Sequence, residues 1–359
     1  MQQPIHSIVQ VTDQLNVGGA EQIVVMLANL LQAHGHMLAV VTTVAPGPLS
    51  GKLHPTVQQI NLQRRWKWNP ITMYRLIRVL KQFDVVHVHS SYNLRYVYLA
   101  SCLFFLRKPI FYHEHFGDID INTAVAWHQK WIYPNVIFIA VSRQLAEWAI
   151  NKIKLSPKNV FLLPNTIARQ KIKQANTLAQ PYQLVLVSNI RRTKNIEFAI
   201  ELVKALNCFT DAYYLTIIGQ VRDEEYYREI QQLVNDYSLT EHVDFNHDCN
   251  NIQPLLNNYH LALHTAKSET GPLVLIEYLA QGIPFITYNT GEVVQQIQPC
   301  LPAFIMQDFN LKQWLQAIKV AIELPREQVV SQLVELYQKY FSLEAYYNQC
   351  MTIYKEGFK

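Results

Sequence analysis

The stretch HLALHTAKSETGPLVLIEYLAQGIPFIT, residues 260–287, contains the strand–helix–strand pattern that decides the fold. Its short apolar runs, His260–His264 and Pro284–Thr287, are typical of buried strands. Between them, Pro272 suits the first turn of a helix and Gly271 permits close approach of the backbone. Two strands joined by a helix of this length predict a parallel pair with a helical crossover.

The same alternation of strand and helix patterns runs along the whole chain. Further strand candidates are Ile5–Thr12, Leu38–Thr43, Val85–Val88, Pro109–Tyr112, Val136–Val141, Leu184–Ser188, Tyr214–Ile218 and Val243–Phe245. Helical periodicity separates them, as in the segment from Met73 to Leu80, where Asn69 is a suitable N-cap. We therefore predict an α/β protein with two doubly wound parallel sheets in two domains that face each other across a cleft.

A polar, weakly periodic segment at residues 166–182 marks the boundary between the two predicted domains. The first domain is predicted to span residues 1–167 and to be completed by a C-terminal helix at about 342–359. The second is predicted to span residues 180–341. A length of 359 residues agrees with two domains of roughly 150 residues each.

Composition narrows the class of protein. Half of the residues are hydrophobic and 16% are charged, which argues against disorder. The net charge is 31 − 27 = +4, too small to indicate a nucleic-acid partner. Five dispersed cysteines indicate reduced thiols, and no signal peptide precedes the first strand. We expect a cytoplasmic protein.

Two carboxylates flank a candidate anion site in the quoted stretch. Glu269 precedes the predicted helix and Glu277 lies in its second turn. Backbone N–H groups between Gly271 and Val274, aided by the helix dipole, would bind an anion. This arrangement suits a diphosphate with a hydroxyl-bearing ring at each end. An equally valid interpretation is a capping carboxylate followed by a solvated glutamate.

Two cations follow a strand at the start of the second domain. Arg191 and Lys194 can project together toward a diphosphate. We assign no D-x-D motif to metal binding, and we expect these cations to neutralise the leaving group, with no metal ion and no cofactor. The alternative is a pair of ordinary surface charges.

Five segments together resemble the family 4 retaining glycosyltransferases of GT-B fold. They are Val17–His36, Asp84–Ser90 (DVVHVHS), Phe111–Gly117 (FYHEHFG), Val187–Asn195 (VSNIRRTKN) and the E-x(7)-E segment from Glu269 to Glu277. They occur in the order of the family and the resemblance covers nearly the whole chain. It implies a GT-B fold and transfer of a sugar from a nucleotide-diphosphate sugar.

The resemblance also implies a role for each matching residue. Glu269 and His115 would act at the transferred sugar, and Lys194 and Arg191 at the diphosphate. Glu277 would hold the ribose hydroxyls. The donor would further contact Gly18, Gly19, Asn189, Gly271, Pro272, Leu273 and Val274. Here Asn189 stands where many members have arginine, so the division of work between Arg191 and Lys194 stays open.

Four histidines end two neighbouring predicted strands: His87 and His89, then His113 and His115. A histidine that ends a strand is more often structural than catalytic, and that interpretation applies first to His87. FYHEHFG resembles the T-x-H segment of the family, which puts His115 at the catalytic position. His113 and Glu114 would then contact the acceptor or support His115.

The segment Leu62–Gln82 combines basic residues with tryptophans. Arg64, Arg65 and Lys67 accompany Trp66 and Trp68. This pattern suits contact with anionic lipid on the cytoplasmic face of the inner membrane, or with a lipid-diphosphate acceptor. A solvated helix face with ordinary tryptophan packing explains it equally well.

The sequence thus predicts a retaining, metal-independent glycosyltransferase that moves a sugar from a UDP-sugar or another nucleotide sugar to a glycan or lipid-linked acceptor. The breadth of the family favours assembly of bacterial surface polysaccharide or lipopolysaccharide. Two alternatives stay open: a nucleotide-sugar epimerase of GT-B fold, and a catalytically silent scaffold in a glycan assembly complex. A dinucleotide oxidoreductase is disfavoured because VGGAE lacks the G-x-G-x-x-G spacing.

Overall fold

The structure, a computed structural model, describes residues 5–66, 68–115, 123–172, 180–208, 210, 212–249 and 251–359. The chain divides into two compact units. Unit 1 comprises Met1–Ile167 together with Leu343–Lys359, and unit 2 comprises Ala168–Ser342. Each unit is built around its own parallel sheet.

Unit 1 contains a seven-stranded sheet in the order β3-β2-β1-β4-β5-β6-β7. The strands are β1 (Ser7–Thr12), β2 (Met37–Thr42), β3 (Gln58–Asn61), β4 (Val85–His89), β5 (Ile110–Glu114), β6 (Ile137–Ala140) and β7 (Val160–Leu162). The helices are α1 (Gly19–Ala33), α2 (Pro70–Leu80), α3 (Ser91–Leu103), α4 (Trp127–Ile132) and α5 (Arg143–Asn151), with the C-terminal α12 (Leu343–Glu356). All six strand pairs are parallel.

Unit 2 contains a six-stranded parallel sheet in the order β10-β9-β8-β11-β12-β13. Its strands are β8 (Tyr182–Val187), β9 (Tyr213–Ile218), β10 (Val243–Asn246), β11 (Leu261–His264), β12 (Phe285–Tyr288) and β13 (Ile305–Met306). Its helices are α6 (Ile196–Leu206), α7 (Glu224–Asp236), α8 (Leu273–Gln281), α9 (Gly291–Ile297), α10 (Leu311–Glu323) and α11 (Arg326–Phe341). The predicted pair of doubly wound parallel sheets is confirmed.

Helices cover both faces of the unit 1 sheet because its strands carry apolar side chains on each side. One buried cluster joins the sheet to α2, α3, α4 and α5, through side chains such as Leu76, Val97 and Leu145. The other joins it to α1 and α12, through side chains such as Leu27 and Tyr354. The C-terminal helix therefore packs within unit 1.

Local signals in the sequence set several helix boundaries. The Asn69 side chain accepts hydrogen bonds from the N–H groups of Ile71 and Thr72, as its predicted N-cap role requires. Pro272 is itself the N-cap residue of α8, one position before the first turn where we expected it. Within the described residues, no helix combines the length and apolar character needed to cross a bilayer.

Candidate active site

In unit 2, the loops that follow β8 and β11 bring Lys194 and Glu269 into contact. The Lys194 Nζ donates to Glu269 Oε1, and His264 Nε2 lies 3.6 Å from the same oxygen. The Lys194 and Glu269 side chains are only 11% and 13% exposed. The structure thus brings together two of the predicted site residues in a largely buried ion pair.

Backbone and hydroxyl hydrogen bonds hold the two loops against each other. The Lys267 N–H donates to the Thr193 carbonyl (2.9 Å), and the Thr265 hydroxyl donates to the Lys194 carbonyl (3.0 Å). Asn195 adopts a left-handed conformation (φ 52°) that ends the turn carrying Lys194 and starts α6. The position of the Lys194 ammonium group is therefore set by the folded backbone.

Burial would raise the pKa of Glu269, but the Lys194 ammonium group and then His264 outweigh that effect and lower the pKa to about 2. Glu269 is consequently ionised at neutral pH. His264 is fixed in turn by Thr287, whose hydroxyl lies 3.0 Å from His264 Nδ1. The cluster therefore combines a fixed positive and a fixed negative charge.

The start of α8 lies next to this ion pair along the chain. The Glu269 N–H donates to Thr290 Oγ1 (3.1 Å), and the Glu292 N–H donates to the Thr270 carbonyl (2.7 Å). Gly291 makes this approach possible: it has φ +82°, and a Cβ there would lie 2.9 Å from the Pro272 ring. Gly271, Leu273 and Val274 follow at the N-terminal end of the helix, where the helix dipole favours an anion.

Glu277 lies in the second turn of α8, as predicted, and its side chain is partly buried. Burial raises the pKa of Glu277 to about 7. In the described part of the chain no hydrogen bond or ion pair reaches its carboxylate. A partly buried carboxylate that lacks a protein partner can accept hydrogen bonds from a ligand.

Asn189 and Arg191 occupy the loop between β8 and the turn of Lys194. Asn189 is exposed and Arg191 is partly buried. The next residue, Arg192, is engaged elsewhere, since its guanidinium donates to both carboxylate oxygens of Glu229 at 2.5 and 2.7 Å. Lys194, two residues further on, is held against Glu269.

In unit 1, four histidines converge where β4 and β5 end. His89 Nδ1 lies 3.2 Å from His115 Nε2, and His89 Nε2 lies 2.9 Å from Gln10 Oε1. The ring of His113 packs on that of His115 with centroids 4.2 Å apart. Burial lowers the pKa of His115 to about 4, so this imidazole is neutral at pH 7. His115 is thus positioned by neighbouring histidines.

Glu114 points to the opposite side of β5 from His113 and His115. Its carboxylate accepts from the hydroxyl groups of Tyr112 and Tyr133, and from the His115 N–H at 3.0 Å. This arrangement fixes the backbone of His115 from within the core. Glu114 therefore supports His115 and is itself buried.

Gly18 and Gly19 form the N-terminal end of α1, Gly18 as the N-cap residue and Gly19 as the first helical residue. A Cβ on Gly18 would lie 2.4 Å from Glu21 Oε2. The Glu21 carboxylate therefore lies against this helix start and would have to move for an anion to bind its N–H groups. Gly117, which belongs to the FYHEHFG segment, lies outside the described residues.

Sequence reasoning missed three residues: Gln10, which contacts His89, His264, which contacts Glu269, and Tyr354, which contacts His87. A glutamine in the middle of the apolar run IVQVT and a histidine ending LALH are polar residues in strands buried on both faces. That pattern is a usable signal, since a buried polar side chain needs a partner. The partners themselves depend on strand order.

Comparison with known proteins shows the family. Residues 17–171 match the model of Glycosyltransferase Family 4, and residues 168–335 match that of Glycosyl transferases group 1. The N-acetyl-alpha-D-glucosaminyl L-malate synthase of Bacillus anthracis is 23% identical over 309 residues, 79% of each chain.

Solved structures share the fold at low sequence identity. A glycosyltransferase from Rickettsia africae has a TM-score of 0.80 at 17% identity and is covered over 99% of both chains. Anabaena HepE in complex with UDP has a TM-score of 0.78 at 16% identity, over 97% of this chain and 99% of that one. The fold is GT-B, and the chain belongs to the group 1, family 4 glycosyltransferases.

Proposed function

We propose that this protein transfers a sugar from a UDP-sugar to an acceptor hydroxyl with retention of the anomeric configuration, and that unit 2 binds the donor. The Lys194–Glu269 ion pair beside the start of α8 carries the proposal. It brings a largely buried cation and a carboxylate together in unit 2, and the N-terminus of α8 follows that carboxylate by a few residues. A sugar diphosphate needs these three groups when no metal ion neutralises it.

The diphosphate would bind to the positively charged and N–H groups of this region. Lys194 would bind its oxygens together with the N–H groups at Leu273 and Val274, and Arg191 and Asn189 would contact it from the preceding loop. Negative charge grows on the diphosphate as the glycosidic bond breaks. A cation already fixed by the fold lowers the energy of that charge without reorganising. No divalent ion is needed in this mechanism.

The two carboxylates would bind the rings at either end of the donor. Glu277 would accept hydrogen bonds from the ribose hydroxyls, and Glu269 from the transferred sugar. A diphosphate would compete with Glu269 for Lys194, so donor binding would loosen the ion pair. Glu269 is then free to contact the sugar.

Unit 1 would supply His115 and the acceptor contacts, with Gly18 and Gly19 beside the donor and acceptor. His113 and Glu114 would support His115. In the reaction the C1–O bond to the diphosphate breaks and a C1–O bond to the acceptor forms on the same face. The proton of the acceptor hydroxyl passes to the departing phosphate oxygen, which balances charge without a covalent enzyme intermediate.

Uridine nucleotides are the first donors to test. Anabaena HepE, which shares the fold, has been solved with UDP-glucose. The related Bacillus anthracis protein is named for an N-acetylglucosaminyl group. UDP-glucose and UDP-N-acetylglucosamine are therefore the first pair, followed by guanosine diphosphate sugars.

We further propose a lipid-linked or glycan acceptor at the cytoplasmic face of the membrane, in the assembly of bacterial surface polysaccharide or lipopolysaccharide. Exposed aromatic and aliphatic side chains support it: Trp66 (77% exposed) and Phe105 (80%), with Trp68, Ile71, Tyr74, Tyr92, Leu103, Trp127 and Trp131. They lie on or beside α2, α3 and α4, which pack on one face of the unit 1 sheet.

The charge of this helical layer suits an anionic lipid surface. The helices α2, α3 and α4 contain Arg75, Arg78, Arg95 and Lys130 but no aspartate or glutamate. Arg64, which we expected to contact anionic lipid, does not add to the exposed positive charge of this surface. It is buried, with its guanidinium over the rings of Tyr92 and Tyr96, because these rings stabilise a cation in the interior. Lys67 lies outside the described residues.

A donor screen followed by NMR of the product tests the enzyme proposal. The correct nucleotide sugar raises the melting temperature, since it binds the native state alone. Incubation with acceptor should then give a product whose anomeric proton coupling matches that of the donor, with equal rates with and without added Mg²⁺ or Mn²⁺. An inverted product, an epimer formed from donor alone, or the absence of any donor-dependent shift would contradict it.

Sedimentation with liposomes tests the membrane proposal separately. Binding should require anionic lipid and should fall when Trp127 and Trp131 are changed to Ala, or Arg75 and Arg78 to Glu. The variant Lys319→Glu on α10 of unit 2 is the matched control. Equal binding of all variants would refute contact through this layer, whatever the outcome of the transfer assay.

A further inference from the structure

The histidines of unit 1 form a cluster that the proposed transfer reaction does not fully explain. His87 and His89 alternate by two in β4 and so share one face of the sheet, and His89 pairs in register with His113 of β5. Their ring centroids are 4.5, 5.3 and 5.5 Å apart. All three side chains are buried.

This cluster holds an unusual number of unsatisfied polar atoms. His87 Nε2, Gln10 Nε2 and both ring nitrogens of His113 are buried without a hydrogen bond of normal geometry, and the Leu163 backbone is at most a weak partner of His113. A buried polar atom without a partner is costly, so several in one place indicate a ligand.

In two of these rings, those of His87 and His89, one nitrogen is hydrogen-bonded to another side chain of the protein. The Tyr354 hydroxyl lies 2.7 Å from His87 Nδ1, and Gln10 Oε1 lies 2.9 Å from His89 Nε2. Histidines that bind a metal ion through one nitrogen normally have the other fixed in this way, because the partner selects the tautomer and orients the ring. Tyr354 and Gln10 fill that role here.

We infer that His87, His89 and His113 bind one Zn²⁺ ion. Their ligand nitrogens all lie within 4.8 Å of one another. Tetrahedral Zn²⁺ with Zn–N bonds of about 2.0–2.1 Å needs nitrogens roughly 3.4 Å apart. The rings of His87 and His89, stacked here with an angle of 8° between their planes, would turn toward each other to bind one ion. Imidazole nitrogens suit Zn²⁺, and a water or hydroxide ion would complete a three-histidine site.

The His89 Nδ1 that would bind the ion lies 3.2 Å from His115 Nε2, so His115 is within reach of the ion or of its water ligand. Metal binding at His89 Nδ1 would replace this contact, and the ion would then orient the ring beside which the acceptor is proposed to bind. Through Tyr354 it would also tie α12 to β4. This metal site belongs to unit 1 and is distinct from the proposed diphosphate site in unit 2, where no metal is invoked.

Metal analysis of tag-free protein tests the site without reference to activity. We expect one zinc per chain by mass spectrometry, or uptake of one Zn²⁺ after treatment with a chelator, with a rise in melting temperature of several degrees. Co²⁺ bound in its place should give the intense visible absorption of a tetrahedral site. UDP should not compete with the metal.

Variants separate a built site from chance binding. His113→Thr and His87→Gln should each lower the affinity for Zn²⁺ at least 10-fold, and Tyr354→Phe about 10-fold. His54→Gln, an exposed histidine of the same unit, should change nothing. Fewer than about 0.1 zinc per chain with no Zn²⁺-dependent shift in the wild type, or equal affinity in His113→Thr, would overturn the inference. The wild-type Co²⁺ spectrum decides the question even if a variant fails to fold.

Discussion

Both units place a polar cluster at the carboxyl ends of central strands of their sheets, yet the clusters differ in charge. In unit 1 the carboxyl ends of β4 and β5 carry neutral histidines, because burial lowers the pKa of His87 to about 3 and that of His115 to about 4. In unit 2 the loops after β8 and β11 carry the charged pair Lys194 and Glu269.

This difference follows from which partners each sheet provides. A buried histidine whose ring contacts no carboxylate loses its proton, because nothing offsets the cost of desolvating its charge. A buried glutamate that faces a lysine keeps its charge for the opposite reason. Unit 1 is therefore suited to orient neutral hydroxyl groups or a metal ion, and unit 2 to bind an anion. The predictions below test that division of work, starting with the largest effect.

Lys194→Ala should have the largest effect on transfer. It removes the fixed cation from the diphosphate site and leaves Glu269 with His264 as its nearest partner. We expect kcat/KM to fall by about 10²–10³-fold and donor affinity to fall with it. Lys194→Arg should recover part of both. Steady-state kinetics with Lys319→Ala as control measure this, and a change below threefold would remove Lys194 from the site.

Glu269→Gln should impair transfer to a similar or slightly smaller extent while sparing nucleotide binding. It frees Lys194 from its ion pair, so UDP should bind as tightly as in the wild type or more tightly. We expect kcat to fall by about 10²-fold. Calorimetry with UDP beside single-turnover assays separates the two effects. Selective loss of UDP affinity would instead assign Glu269 to the nucleotide.

Much of the fold could be predicted from the sequence. The strand–helix–strand pattern around residues 260–287 predicted β11, α8 and β12, since each has an apolar run of the correct length. The strands β3, β7 and β13 were missed. Their sequences, QQIN, VFL and IM, are short and lie toward sheet edges, where little burial imposes a pattern.

The contacts of the candidate site were less predictable than its residues. Motif order pointed to Lys194, Glu269 and His115 individually. Their contacts depend on which strands become neighbours in the folded sheet. Examples are the ion pair between Lys194 and Glu269 and the hydrogen bond between His89 and His115. Arg64 shows the same limit, because its burial depends on two tyrosines that lie about thirty residues further along the chain.

His115→Ala should lower kcat by about 10-fold or more, with donor affinity unchanged. The neutral imidazole belongs to unit 1, so its loss should affect positioning of the sugar and acceptor but not the diphosphate site. His89→Asn should give a smaller decrease, since His89 contacts the His115 ring and is not itself proposed to contact the sugar. Kinetics and UDP calorimetry on the same preparations test this. Weakened UDP binding in His115→Ala would contradict the assignment of donor binding to unit 2.

Glu277→Gln should give the smallest effect and the most specific one, a loss of pH dependence. Because burial raises the pKa of Glu277 to about 7, folding is favoured by its protonated form. Wild-type stability should therefore decline by at most about 3 kcal/mol as the pH rises from about 4.5 through 7, and Glu277→Gln should lack this decline.

Donor binding should show the opposite trend, since ribose hydroxyls donate best to an ionised carboxylate. The wild-type affinity for UDP-glucose, whose diphosphate does not titrate in this range, should rise between pH 6 and pH 8 and then level off. Calorimetry in two buffers at pH 7 should detect release of about half a proton per donor bound. Glu277→Gln should bind about 10-fold more weakly at pH 8 and release none. A donor affinity that is independent of pH in the wild type would place the ribose away from Glu277.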